Sequence, residues 1–302
     1  MSQAPFKKIV IFGVGLIGGS FSLALRKANA VGQVIGFGRS AQTLQQAQQL
    51  GIINRIGQDV AAEVSDADLV LLATPVGQMA DIMASIAPHL GKNTLVTDGG
   101  STKCNVVEDA RLHLGKHISR FVPAHPIAGA EKSGAMAARA DLYQSKKVVL
   151  TPLSENSADA VARIRQAWEF CGASVSELTA QQHDEVFAAV SHLPHLLSFA
   201  LVHNLAQRQN CDLLLSFAAS GFRDFTRIAA SNPEMWRDIS LANRSALMRE
   251  LQQYAGELHV LFQALENNDA KKLEEIFQRA HLLRSKWTPK LDAVIDQRDY
   301  GI

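Results

Sequence analysis

Ile9-Val10-Ile11-Phe12-Gly13-Val14-Gly15-Leu16-Ile17-Gly18 is the stretch on which the fold turns. An apolar run ends in a glycine loop, and the loop opens into Gly15–Lys27, which has a helical pattern. The first glycine permits a tight turn, and the second lets the backbone approach a pyrophosphate. The third allows close helix–strand packing, while the helix N-terminus faces the anion. Gly13, Gly15, Leu16, Ile17 and Gly18 are therefore candidate cofactor-binding residues. The string alone is a weak signal, but here strand, loop, helix and next strand follow in the order that the mechanism requires.

Outward from the loop, short apolar runs alternate with amphipathic stretches. Strands are expected at Lys8–Phe12, Val34–Phe37, Leu69–Thr74, Thr94–Thr97, Phe121–Ala124 and Lys147–Leu150. Helices are expected at Ala41–Leu50, Gln78–Leu90, Lys103–Leu114 and Ala158–Cys171. Strands without polar alternation are buried on both faces, so this half predicts an α/β, Rossmann-type, doubly wound and mostly parallel sheet. After Leu178 the strand runs stop. Ala180–Gln207 reads as a helix interrupted by Pro194, and Asp212–Ala219 as a short one. Pro233 opens a long helix, and Ala270–Trp287 forms the last. Leu247, Leu251, Tyr254, Leu258, Leu261 and Leu265 recur at spacings of four and three, a narrow seam suited to domain core or to a dimer interface. The expected domains are 1–178, dinucleotide-binding, and 179–302, all-α.

Composition limits the partners. Of 302 residues, 30 are Lys or Arg and 29 are Asp or Glu, so the net charge of +1 leaves no basic footprint for nucleic acid. Three cysteines do not make a disulfide framework. Lys7-Lys8, the run Ile9–Leu25 and Ala28-Asn29-Ala30 imitate a secretory signal. The glycines inside the run and Arg26-Lys27 after it argue instead for a strand and helix of a cytoplasmic protein, with no membrane partner.

After the second strand comes Gly38-Arg39-Ser40 rather than an acid that would hold the ribose hydroxyls. Arg39 and Ser40 suit a 2′-phosphate, which favours NADP over NAD; a solvated Arg39 is the competing reading. Thr74, at the end of the third strand, joins the cofactor-binding set. Four further segments gather polar groups beyond strand ends. They are Asp98–Lys103, in which Ser101 or Thr102 serves as a helix cap or meets the ligand, and His125–Gly134. Ser191-His192-Leu193-Pro194-His195 and Gly221–Ile228 with Met235–Asp238 complete them. Pro194 is expected to kink its helix and turn His195 towards the cleft. Arg227 has the planar fork for a carboxylate, with Asp224 orienting a neighbour or forming a structural ion pair. Two histidines three apart suit a metal, but neither HExxH nor a carboxylate companion accompanies them, and no metal site is expected. Cys104 reads as an inert thiol near a helix start.

Taken together, Gly15–Ser20, Asp98–Lys103, His125–Gly134, Ser191–His195 and Asp224–Asp238 resemble the prephenate/arogenate dehydrogenase family, in order, from about Phe6 to Trp287. The resemblance implies a nicotinamide-dependent oxidative decarboxylation of a cyclohexadienol in tyrosine biosynthesis, prephenate or arogenate being the substrate. It implies a homodimer through the helical domain; some family members bear a fused mutase or regulatory domain, whereas the two domains expected here use the whole length. It assigns His125 to the substrate's ring hydroxyl with Ser101 assisting there, His195 to the pocket lining, and Arg227 to a substrate carboxylate. Glu131, Asp224 and Trp236 are implied to shape or gate the pocket. Two rivals remain at this point. A β-hydroxyacid-type dehydrogenase would want a lysine on the first helix of the second domain, where His192 and His195 stand. A non-catalytic dinucleotide sensor would have no use for His125, His195 and Arg227 together.

Overall fold

The computed structural model describes residues 4–129 and 134–287. The chain divides into two compact units, 1–246 and 247–302. Within the first, six parallel strands form one sheet: β1 (Phe6–Phe12), β2 (Val31–Phe37), β3 (Arg55–Ile56), β4 (Leu69–Leu72), β5 (Leu95–Asp98) and β6 (Phe121–Val122). Their order in space is β3-β2-β1-β4-β5-β6, so the chain reverses direction across the sheet between β1 and β4. That reversal leaves a crevice outside the carboxyl ends of the strands, where open α/β sheets bind ligands.

Alternation along the strands makes two cores from one sheet. Ile9 and Ile11 of β1 and Leu69 and Leu71 of β4 enter one core, with α1 (Leu16–Lys27), α2 (Ala41–Gln49) and, later in the chain, the helix Ala158–Phe170. Val10 and Phe12, with Val70 and Leu72, enter the other, against α3 (Val60–Ser65), α4 (Met79–Ile86) and α5 (Cys104–His113). Because a strand's side chains project to opposite faces in turn, a continuous apolar run is what a sheet covered on both faces requires. Ile9, Val10 and Ile11 are fully buried, so the run that imitates a leader begins in a central strand of the sheet and continues through the glycine loop into α1. The Rossmann-type expectation is borne out.

Several element boundaries differ from expectation, each for a local reason. The run Phe121–Ala124 is not one strand: β6 pairs with β5, and after Pro123 the chain enters a second sheet as β7 (Ala124–Pro126). There β7 lies antiparallel to β8 (Lys147–Leu150), which is parallel to β9 (Ser174–Glu177). The two-residue β3, the six-residue α3 and the largely exposed β9 were not expected, being too short or too polar to show a period. Helix α6 (Ala158–Phe170) stands where expected, and its Trp168 is fully buried against Phe21 and Tyr143.

After β9 the chain is helical: α7 (Ala180–Phe187), α8 (Leu193–Ala206), α9 (Cys211–Ser216), α10 (Ser220–Thr226) and α11 (Pro233–Ala242). Pro194 does not break the segment. A π-helical turn over Ala188–His192 precedes α8, and its wider spiral accommodates a residue that lacks an N–H. The helix opened by Pro233 is shorter than expected. It stops at Asn243, and α12 (Arg244–Glu266) begins afresh. The segment Ala180–Ala206 is long and apolar enough by composition to cross a membrane, yet His183, Asp184 and His192 within it are buried in protein.

The second unit contains α12 from Leu247 onward and α13 (Ala270–Lys286). Leu247 and Ala264 are buried, whereas Leu251, Leu258, Phe262, Leu265, Phe277 and Leu283 are exposed. Half of the seam read from the sequence, Leu251, Leu258 and Leu265, is therefore exposed in the single chain.

Candidate active site

The glycine loop has the geometry of a dinucleotide cradle. Gly13 has φ +93°, and a Cβ on it would lie 2.4 Å from the Ala73 carbonyl oxygen. A Cβ on Gly18 would lie 2.2 Å from the Gly13 carbonyl oxygen and 2.8 Å from Ile11 Cγ2. Those two glycines serve the fold. Gly15 is different: a Cβ there would meet nothing within 4 Å, and it precedes α1 without a side-chain cap. The first N–H groups of α1 thus have no side-chain cap, and the space beside Gly15 is open, as a pyrophosphate requires. Thr74, just past β4, has a buried Oγ1 with no hydrogen-bond partner among the described residues. A buried hydroxyl left unpaired beside such a loop fits a site shaped for a further polar group. These observations fit a dinucleotide.

At the end of β2, Arg39 is exposed and lies 3.6 Å from Glu234 of α11. Ser40 caps α2, its Oγ accepting the Thr43 N–H at 3.2 Å. Capping occupies the oxygen as an acceptor and leaves the hydroxyl proton free to donate.

The polar centre is built on the end of β5. Asp98 and Lys103 form a fully buried ion pair. The Asp98 carboxylate also accepts the Gly100 N–H at 2.8 Å and the Ala124 N–H at 3.0 Å. That last bond ties the start of β7 to the carboxyl end of the parallel sheet and so fixes His125, the next residue. His125 Nδ1 is 2.8 Å from His183 Nε2, and His183 Nδ1 is 2.8 Å from Asp184 Oδ1. Phe187 packs on both imidazoles, at centroid distances of 4.9 and 4.5 Å.

Asp184 completes α5. Its two oxygens accept the Lys103 and Cys104 N–H groups at 2.8 Å each. The cap of α5 is therefore a carboxylate from α7, 80 residues away, and neither Ser101 nor Thr102 fills that role; Thr102 Oγ1 donates to Asn105 instead. Asn243, in the break before α12, donates to the Asp184 carbonyl oxygen at 2.7 Å and stands 3.1 Å from His192 Nδ1. The Ser101 backbone also bears on His192, opposing the effect of burial on its imidazole.

Burial sets the charge state of this cluster. Desolvation pushes His125 well below the ordinary imidazole range, and the nearby His183 and Lys103 act in the same direction. His183 is also lowered, burial outweighing its bond to Asp184. His192 is lowered to about 4, again by burial. Burial raises Asp184, but the bonds from His183, Cys104 and Lys103 outweigh it and hold the carboxyl below its usual value. The histidines are thus neutral and Asp184 ionised near pH 7. Cys104 is pushed up to about 12 by burial and by Asp184, so it is an inert thiol.

His195 donates from Nδ1 to the Ser191 carbonyl oxygen at 2.9 Å, which leaves Nε2 as its lone-pair nitrogen. Its ring stacks on Trp236, and burial followed by the charge of Arg227 lowers its pKa. Trp236 Nε1 is buried without a partner among the described residues. Arg227 stands exposed at the start of a 3-10 turn, Arg227–Ala230. Asp224 is exposed and lies 3.6 Å from Arg223. Glu131 lies outside the described residues.

The structure thus brings His125 beside β5 and groups His195, Trp236 and the charge of Arg227. His183, Asp184 and Asn243 were not singled out from the sequence. Asp184 and His183 are adjacent in the chain, but their partners lie 58 to 81 residues away, and no local spacing signals that.

Residues 21–177 match the family model described as prephenate dehydrogenase, nucleotide-binding domain, and residues 179–279 match prephenate dehydrogenase, dimerization domain. A cyclohexadienyl dehydrogenase from Zymomonas mobilis is 35% identical over 281 residues, which span 92% of this chain and 95% of the relative. A crystal structure of prephenate dehydrogenase from A. aeolicus, in complex with hydroxyphenyl propionate and NAD+, superposes with a TM-score of 0.86 at 36% identity. That superposition covers 93% of this chain and 98% of the other. An arogenate dehydrogenase from Synechocystis gives 0.78 at 30% identity, covering 93% and 100%.

Proposed function

This chain belongs to the prephenate dehydrogenase family of nicotinamide-dependent oxidoreductases, and on that premise we propose that prephenate is its substrate and His125 its base. The family reaction is the oxidative decarboxylation of a cyclohexadienol, with hydride transfer to NAD(P)+. The β-hydroxyacid and sensor readings have no comparable support, because both family models carry the same name over nearly the whole chain.

The observation that carries the reading is a neutral His125 anchored beside the carboxyl end of β5 through the Ala124–Asp98 bond. A nicotinamide nucleotide supplies a hydride acceptor when bound. His125 takes the proton of the ring hydroxyl as the hydride leaves the same carbon. The ring carboxylate then departs as carbon dioxide, and its bonding electrons make the ring aromatic. His125 returns the proton to the phenolate oxygen, so no net proton is consumed. A neutral imidazole suits this general-base role near neutral pH.

Ser101 assists at the hydroxyl. His195 lines the pocket with Trp236 on its face. Arg227 binds a substrate carboxylate as a planar charged fork, and Glu131 and Asp224 border the pocket. Leu16, Ile17 and Thr74 lie with Gly13, Gly15 and Gly18 along the nucleotide. Arg39 and Ser40 read a 2′-phosphate and make NADP the better cofactor, with NAD accepted. The Arg39–Glu234 contact is exposed and long, so little opposes its exchange for phosphate.

Residues 1–178 serve the nucleotide, and 179–302 serve the substrate and self-association. The exposed seam of α12 fits a homodimer interface, which covers apolar surface left open in one chain. A cytoplasmic location accords with three free cysteines and a cofactor of central metabolism.

The test is nicotinamide reduction by the purified protein with prephenate or arogenate, each with NAD or NADP. Prephenate with NADP is expected to give the highest kcat/KM. Arg39→Ala should lower kcat/KM with NADP about tenfold and leave NAD unchanged. Faster turnover of arogenate, or an indifferent Arg39→Ala, would reassign the substrate or the phosphate reader respectively.

A further inference from the structure

We propose that His183 and Asp184 are positioning residues for this reaction, fixing the tautomer of His125 so that its Nε2 is left as the nitrogen that takes the hydroxyl proton. The inference rests on the assignment of His125 as base and adds what makes that base competent.

The chain of donors follows from the geometry. Asp184 accepts two backbone N–H groups at the start of α5, where the helix dipole also favours negative charge. An ionised carboxylate only accepts, so the proton in the 2.8 Å contact with His183 is carried by His183 Nδ1. A neutral imidazole with Nδ1–H has a bare Nε2. That bare nitrogen faces His125 Nδ1 at 2.8 Å, so His125 Nδ1 carries the proton there and donates. His125 is then left with a lone pair on Nε2. Were His183 to lack its carboxylate partner, either tautomer of His125 would satisfy the contact, and a fraction of the enzyme would present an N–H where a base is needed.

The same line of groups serves the charged state. When the substrate O–H bond breaks and an N–H bond forms at His125 Nε2, His125 becomes a cation that still donates to His183. Asp184 balances that charge through His183, as the carboxylate of a catalytic triad balances its histidine. The groups that face the pair are Phe187 on α7, the Lys103–Asp98 ion pair at β5 and α5, and His192 in the π turn. Asp184 is the anion bonded directly to either imidazole among the described residues, which is why the polarity of the relay runs one way.

The experiment has two readouts on the full chain. The first is the imidazole 15N–1H correlation spectrum of histidine-labelled protein at pH 7.5, with no substrate present. His125, assigned by its loss in His125→Asn, is expected as the Nδ1–H tautomer, and in His183→Leu as a mixture. The second is steady-state kinetics with prephenate. His183→Leu should lower kcat about 10²-fold with substrate KM and nucleotide Kd within about twofold, and His183→Gln, which keeps an acceptor, should recover to within about tenfold of wild type. An Nε2–H tautomer in the wild-type spectrum, or a His183→Leu enzyme turning over within twofold of wild type, overturns the proposal. The spectrum decides even where the leucine variant fails to fold. If His125→Asn itself turns over normally, the base assignment fails, and that outcome is separate from the His183 result.

Discussion

The imidazole of His195 lies face to face with the indole of Trp236, ring centroids 3.6 Å apart and planes 20° from parallel. With Nδ1 tied to the Ser191 carbonyl oxygen, the ring is held on one edge and one face. Such stacking is worth about 0.5–1.5 kcal/mol. Trp236→Ala is therefore expected to raise the substrate KM roughly 2- to 12-fold, on the scale of tenfold per 1.4 kcal/mol. Trp236→Phe should recover most of it. Because burial is the main cause of the lowered His195 pKa, the same variant should raise that pKa towards its ordinary value, which an NMR titration reads. An unchanged KM and an unchanged titration would show that the stack positions nothing.

Arg227 bears on His195 through its charge and is exposed at the start of its 3-10 turn. A charge-assisted hydrogen bond to a carboxylate contributes about 1.5–3 kcal/mol. Arg227→Ala should accordingly raise the substrate KM roughly 10- to 150-fold while kcat changes little, the signature of lost uniform binding. Lysine at 227 should fall between the two, keeping charge without the fork. A variant that lost nucleotide affinity instead would place Arg227 at the wrong ligand.

The glycines of the loop separate fold from ligand. Gly18→Ala drives a Cβ into the Gly13 carbonyl oxygen and Ile11, an overpacking that should cost about 1–3 kcal/mol in urea unfolding. Gly15→Ala meets nothing in the free chain and should leave stability within about 0.5 kcal/mol. It should nevertheless weaken nucleotide binding at least tenfold by calorimetry, since the pyrophosphate occupies that space. Equal stability losses, or intact nucleotide affinity in Gly15→Ala, would contradict this division.

Stability should fall as pH drops from about 6.5 to 4. His192 is held neutral in the folded chain, its pKa lowered to about 4 by burial. Within that window the unfolded chain binds a proton that the folded chain refuses, so stability rises with pH there. The contribution, present above the ordinary imidazole pKa of about 6.5, amounts to roughly 3 kcal/mol and is gone by about pH 4. His125, His183 and His195 are lowered too and act with the same sign. Urea titrations at pH 7.5, 5.5 and 4.5 read the slope, and His192→Asn should make it shallower. A flat profile would mean that these imidazoles are protonated in the folded state.

Most of the sheet was legible because a strand buried on both faces must be apolar throughout. Ile9–Phe12 and Leu69–Leu72 are, and the two cores they feed lie on opposite faces. The α12 seam was equally readable from its spacing, though its exposure in one chain was not. What escaped notice was either short or non-local. Arg55–Ile56 is too brief to show a period. The stop at Asn243 arises because its side chain holds Asp184 and His192 rather than from any breaker in the sequence. His125 was found because it follows a recognisable strand end, His195 because Pro194 marks its place in the helix, and Arg227 because its fork suits a carboxylate, whereas nothing in the sequence around His183 and Asp184 sets them apart from an ordinary helix. Their importance comes from α7 crossing β7 and α5, and only the fold makes that crossing visible.

The most direct measurement is the turnover of His125→Asn with prephenate and NAD(P)+, set beside its nucleotide affinity. Loss of the base should lower kcat by about 10²- to 10⁴-fold while the nucleotide Kd stays within about twofold, because no loop contact is touched. Turnover within a few-fold of wild type, or a matching loss of nucleotide affinity, would contradict the placement of the chemistry at His125.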